Sequence, residues 1–175
     1  MNMQKLTQKS IEAVNAAQKT AKEYGNTEIG QEHLLYALLN DADGLICQLL
    51  EKDGKDVERL KTDVINRIEK MPRASGNGGQ YLTSDLNDAF DDAQSQADNM
   101  KDDYVSVEHL FLGLINKANS FVKDTFRTYG ISKDGLLKAL VAVRGNQRVT
   151  GDNPESTYDV LNKYGVDLVE RAKKQ

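Results

Sequence analysis

Two histidines, one cysteine and a run of aspartates are the residues of this chain with side chains suited to catalysis or metal binding. His33 and His109 each follow a glutamate and precede two apolar residues, as Glu32-His33-Leu34-Leu35 and Glu108-His109-Leu110-Phe111. Neighbouring Glu-His cannot reproduce the His-Glu-x-x-His zinc motif, which needs two histidines one helical turn apart. A histidine early in a helix and ahead of apolar residues reads as a packed group with its ring N–H satisfied. Cys47, in Ile46-Cys47-Gln48-Leu49, reads as a small core or boundary residue. As the sole cysteine it excludes an internal disulfide and any Cys-x-x-Cys pair. The acidic group of Asp85, Asp88, Asp91, Asp92, Asp98, Asp102 and Asp103 lacks the spacing of a calcium loop and reads as a solvated helix face. The glycines of 71–80 do not form a Walker phosphate loop, which needs Gly, four residues, Gly, Lys and Ser or Thr. No catalytic residue, metal site or bound cofactor is therefore expected in this chain.

The elements that would position such residues emerge when the chain is compared with itself. Leu6-Thr7 matches Leu82-Thr83, Ala17-Gln18 matches Ala93-Gln94, and Glu32-His33-Leu34 matches Glu108-His109-Leu110. Gly54 and Leu60 match Gly130 and Leu136, and every pair shares one offset of 76 residues. One register without a gap marks a tandem duplication. Each copy reads as four helices, which makes the chain all-α. Thr7 and Thr83 suit the N-caps of the first helices. Ala13, Val14, Ala17, Ala21 and Tyr24, echoed by Ala89, Phe90, Ala93, Ala97 and Met100, form one stripe at three- and four-residue spacing. The second helices carry the Glu-His-Leu signature, with Ser106 a cap in the second copy. The third run from about Leu45 to Asp53 and from about Phe121 to Tyr129, ended by Gly54 and Gly130. The fourth hold Val57, Leu60, Val64 and Ile68, then Leu136, Leu140 and Val143. The copies are expected at 1–70 and 81–145, joined by a flexible Pro-Ser-Gly connector at 71–80. A second break follows Arg144. Asn153-Pro154 then predicts the start of a last amphipathic helix carrying Tyr158, Leu161, Tyr164, Leu168 and Val169.

Length, composition and charge narrow the function further. The chain has 175 residues, 39% hydrophobic and 29% charged, with only 2 prolines, which describes a folded, helix-friendly protein. The apolar run Leu34 to Leu39 is far short of the roughly 20 residues of a membrane span. Met1 to Ser10 is too polar for a secretory leader, so no membrane and a cytoplasmic location are expected. The net charge of −4 is unevenly spread: 2 basic and 8 acidic groups lie in 71–116, against 11 and 7 in 117–175. An acidic middle of this kind argues against a nucleic acid partner.

The signature Thr7, then Ile29-Gly30-Gln31-Glu32-His33-Leu34-Leu35, then Val105-Ser106-Val107-Glu108-His109-Leu110, resembles the double Clp repeat of the N-terminal domains of Clp-type AAA+ chaperones. The connector Met71-Pro72 with Gly76-Asn77-Gly78-Gly79, and the tail Asn146-Gln147-Arg148-Val149-Thr150, Asn153-Pro154-Glu155 and Leu161 to Ala172, are similar to the ClpB disaggregase branch. The resemblance implies a pseudo-twofold domain, with 146–175 as the linker and start of the first ATPase module, ahead of that module's nucleotide loop. It implies a homohexameric parent that uses ATP and Mg to thread aggregated polypeptides, together with an Hsp70-type chaperone system. This chain, a monomer by expectation, would engage unfolded or aggregated client proteins. The family's client-binding positions fall on Thr7, Asp102 and Glu108. Asn26 stands where the second copy has Asp102, so an acidic pair would be asymmetric.

Two related halves meeting across an axis leave a seam in which a client segment can lay apolar side chains. The first helices are expected to line it, with Val14, Phe90, Leu34 and Leu110 nearby. Two further readings are an adaptor-docking domain, as in protease-linked Clp ATPases, and a structural gate over a pore.

Overall fold

The computed structural model describes residues 3–74, 79–145, 149–152 and Pro154. The expected helix beyond Pro154, and the glycines at 76–78, lie outside the described residues. A 3-10 turn (Met3–Lys5) leads into α1 (Gln8–Glu23), β1 (Glu28–Ile29), α2 (Gln31–Asn40), α3 (Leu45–Lys52) and α4 (Val57–Glu69). The second half repeats this as β2 (Tyr81–Leu82), α5 (Ser84–Asn99), α6 (Val107–Asn116), α7 (Ser120–Tyr129) and α8 (Lys133–Arg144). The bounds of α1 and α5, and of α2 and α6, differ by 76 residues at both ends.

Local chemistry starts and stops the helices where the repeat places them. Thr7 Oγ1 accepts from the Ser10 N–H and Thr83 Oγ1 from the Leu86 N–H, each at 3.2 Å, satisfying donors that the first helical turn leaves orphaned. Asp56, Asn119 and Ser132 cap α4, α7 and α8 in the same way. After α7 the chain turns through Gly130 at φ +68°, a left-handed conformation that favours glycine.

The all-α expectation missed one small feature. Ile29 pairs in parallel with Leu82, and an isolated parallel bridge joins Leu6 to Val105. Adding the repeat offset to Leu6 gives Leu82, and adding it to Ile29 gives Val105. The segment before the first helix of each copy therefore pairs with the segment before the second helix of the other. A rotation that exchanges the halves produces this pattern; a translation would not. Two-residue strands carry no readable periodicity, and their function is to satisfy extended backbone between helices.

α2 and α6 form the centre. Eight of the ten residues of α2 and the first eight of α6 are buried, as expected of helices surrounded on all sides. The two halves share one apolar core containing Leu34, Leu35, Leu60, Leu110 and Phe111. The Phe111 and Phe126 rings lie 5.3 Å apart between centroids. Each such side chain contributes roughly 1.5–3 kcal/mol by leaving water.

Candidate functional site

The histidines act as helix caps in both copies. His33 Nδ1 accepts the Gly30 N–H at 2.9 Å, and His109 Nδ1 accepts the Ser106 N–H at 2.8 Å. Accepting at Nδ1 leaves the proton on Nε2, which donates to Asn26 Oδ1 at 3.0 Å and to Asp102 Oδ2 at 2.8 Å. Asn26 and Asp102 are repeat equivalents that hold different strands of chain. The amide of Asn26 donates to the Pro72 carbonyl, at 3.0 Å. A carboxylate cannot donate, and Asp102 Oδ1 instead accepts the Val149 N–H at 2.9 Å and pairs with Arg144.

Burial pushes the His33 imidazole down to about 4, since its charged form would lose its hydration. The unfolded chain then binds more protons below about pH 6.5, so the contribution is complete above that pH and is lost as pH falls toward 4. Urea unfolding is expected to show a loss on the order of 2–3 kcal/mol between pH 7 and 4.5 from this residue. In His33→Gln that slope should flatten; an equal slope would exclude His33 as its source.

The second copy adds a charged cluster. Burial opposes ionisation of Asp102, but the hydrogen bonds from His109, the Val149 N–H and Arg144 outweigh it and hold the carboxyl below its usual range. Burial pushes Glu108 up. Its Oε1 accepts the Ser106 hydroxyl, while Oε2 has no hydrogen-bond partner among the described residues and stands 3.8 Å from Arg144 Nη1. Thr7 sits nearby in the chain pairing: its N–H donates to the Val105 carbonyl at 3.0 Å, and Ser10 Oγ donates to the same carbonyl at 2.9 Å.

Thr7, Asp102 and Glu108 are thus gathered around the Thr7–Val105 junction, but as buried structure, exposed by 0, 7 and 0%. Val14, Leu34, Phe90 and Leu110 are exposed by 8, 0, 5 and 0%, so these side chains pack in the core and not along an open seam. Most of the apolar stripe of each first helix packs against the second helix of its own copy. Cys47 is also buried, its thiol pushed up to about 11 by burial and neighbouring carboxylates.

The open surface lies elsewhere. A groove of about 260 Å³ runs between α1, α2 and α3 in the first half. Ala13, Ala37, Leu38, Leu45, Ile46 and Val107 form its apolar floor, and Ala16, Thr20 and Tyr36 its partly exposed wall. Its rim is charged: Lys9 stands 3.6 Å from Glu12 and 4.0 Å from Asp41. A departure from the repeat accounts for the opening. Where the second half has Gly113, whose backbone lies against Ala89 and Ala93 of α5, the first half has Ala37. A methyl group at that position keeps α2 from approaching α1 as closely. The groove falls at positions where the copies differ, not at those they share, so the repeat register alone does not mark it.

Three comparisons agree with this architecture. The family model for the Clp repeat (R) N-terminal domain matches residues 5–129. The chain is similar to the chaperone protein ClpB of Bacillus anthracis, 40% identical over 177 residues, which is 99% of this chain and 20% of that protein. It is 40% identical over 168 residues to ClpB of Rhodopirellula baltica, covering 96% of this chain and 19% of that one. The chain therefore spans about a fifth of these relatives. Among solved structures, the Hsp104 N-terminal domain from Candida albicans superposes with a TM-score of 0.74 at 21% identity, over 86% of this chain and 98% of that one. A ClpV N-domain in complex with a VipB peptide gives a TM-score of 0.63 at 20% identity, over 79% and 86% of the two chains.

Proposed function

Because this chain belongs to the Clp repeat N-terminal domain family and is homologous over nearly its whole length to the ClpB N-terminal region, we propose that it recognises clients for a ClpB-type disaggregase. In this reading it binds exposed apolar segments of unfolded or aggregated proteins, and the parent supplies ATP hydrolysis, a hexameric ring and cooperation with an Hsp70-type system. The observation that carries the reading is the α1–α2–α3 groove, with its apolar floor under a charged rim. A volume of about 260 Å³ is below the roughly 300–1,000 Å³ of small-molecule sites and suits one or two side chains of a polypeptide. Shallow burial gives weak, sequence-tolerant binding, which several domains in one ring would convert to avidity. The precedent of a peptide on the N-domain of ClpV supports the same kind of ligand.

The buried residues serve the groove at one remove. Thr7 caps the helix that forms one wall, and Glu108 follows Val107 of the floor. Titrating the isotopically labelled chain with an unfolded casein-like protein is expected to move backbone amide resonances around Ala16, Tyr36 and Ile46, with a Kd in the micromolar range or weaker. Silence toward unfolded protein, with tight binding of one folded partner, would replace this reading by adaptor docking.

A further inference from the structure

Beyond the second repeat, the chain at 149–152 is strapped back across both halves. It begins on its own half, where the Val149 N–H donates to Asp102 Oδ1 at 2.9 Å and the Val149 carbonyl accepts the Asp103 N–H at 2.7 Å. It ends on the other half, where the Asp152 carbonyl accepts the Gln8 N–H at 2.7 Å and the Asp152 carboxylate accepts from Gln8 Nε2 at 3.2 Å. Val149 is fully buried, whereas Thr150, Gly151 and Asp152 are exposed. The chain after the first repeat is held differently at 72–74. There the Pro72 carbonyl accepts from the Asn26 amide and the Ala74 N–H donates to the Gly25 carbonyl, both of the half it has just left.

The landing point of the strap ties it to the groove. Gln8 is the first residue of α1, and its N–H is one of the donors that the first turn of a helix leaves without an internal partner. Asp152 supplies that partner. Lys9, Glu12, Ala13 and Ala16 of the same helix form one side of the groove, beginning one residue further on. A docked strap therefore holds the start of the groove wall, and a client lying on that wall holds the helix to which the strap is tied. The strap itself rests on one buried side chain and the hydrogen bonds named above, a set small enough to open while the rest of the domain stays folded.

We propose that 149–152 is a releasable strap whose docking and the seating of a client in the groove favour each other, so that an occupied groove fixes the direction in which the chain leaves the domain. This rests on the client-binding reading and adds a route by which occupancy is passed out of the domain. The coupling acts through order in the first turn of α1: whichever of strap and client binds first has already ordered that turn, and the second binds more tightly. By reciprocity, the strap changes client affinity by the same factor as the client changes strap docking.

The test is amide hydrogen exchange on the full chain, with and without saturating unfolded casein-like protein. The Val149, Asp103 and Gln8 amides are expected to exchange together, at least about tenfold faster than those of α6, and to slow about threefold when client is bound. Val149 and Asp103 are the decisive pair, because neither lines the groove and a client resting on α1 does not shield them. Client binding that leaves their exchange unchanged, or strap amides as slow as those of α6, would overturn the coupling while leaving client recognition intact; absence of any client binding would remove both. As a second arm, Val149→Asp puts a carboxylate at a buried position next to Asp102 and should release the strap. Exchange of the Gln8 amide should then rise about tenfold and client affinity fall about threefold. A folded Val149→Asp with a deprotected Gln8 amide and unaltered affinity would contradict the proposal. Should that variant not fold, the exchange series on the unaltered chain decides alone.

Discussion

Replacing Arg144 by methionine is expected to cost about 3–5 kcal/mol of folding stability, measured by urea unfolding at neutral pH. The guanidinium is buried against Asp102 and within 3.8 Å of Glu108, so its removal strands carboxylate charge in a site that water cannot reach. The other half of the molecule arranges its charges differently: the buried Glu32, counterpart of Glu108, pairs with Arg67 at 3.5 Å. There Asn26 replaces Asp102 and Ile68 replaces Arg144, while His33 and His109 keep the same capping geometry. Asp102→Asn alone should also destabilise, because it leaves Arg144 short of a counter-charge. Combined as Asp102→Asn/Arg144→Met, the changes remove the Asp102–Arg144 pair together but leave Glu108 without its cation, so they should recover only part of the loss, with a coupling of about 2 kcal/mol. Additive losses, or a single-variant cost under about 1 kcal/mol, would show that the cluster is not a linked unit.

Gly113→Ala is the second large effect. A Cβ at Gly113 would stand 2.2 Å from the Ala89 carbonyl oxygen, 3.1 Å from its carbon and 3.3 Å from the Ala93 nitrogen. All three are backbone atoms of α5, so no side chain can rotate away and the helices must separate. Overpacking of this kind costs about 3 kcal/mol, or roughly 6–12 °C in thermal midpoint for a chain of this length. The reciprocal Ala37→Gly should cost only about 1 kcal/mol, the helix-propensity penalty. Calorimetry on the pair therefore tests the origin of the groove: similar costs for both would refute the Gly113–Ala37 asymmetry as its cause.

Much of the fold was legible because burial dictates spacing. The Ala-rich stripes, the Thr7 and Thr83 caps and the terminating Gly130 each follow from local chemistry, and the 76-residue register tied them into two equivalent units. The two β bridges were not legible, since two extended residues leave no period. Client-facing side chains were harder to read for a different reason. A stripe such as Val14 or Phe90 says that one face is apolar, but not whether a neighbouring helix or a client covers it, and here the same half covers it. The groove and the charged cluster both arise where the copies diverge: Ala37 against Gly113, Val107 against Gln31, Asn26 with Ile68 against Asp102 with Arg144. Those substitutions are visible in the sequence, yet their meaning depends on which chain positions the rotation brings together, such as Gln31 with Lys117.

The seating of unfolded client in the first-half groove is tested most directly by repeating the amide-resolved titration on Ala16→Glu. Ala16 is a half-exposed wall residue, so a carboxylate there should leave folding unchanged while placing charge against the apolar floor. The prediction is that shifts around Tyr36 and Ile46 disappear and affinity for unfolded protein falls at least fivefold. An unaltered titration, or shifts centred instead on the equivalent surface of α5, α6 and α7, would contradict it.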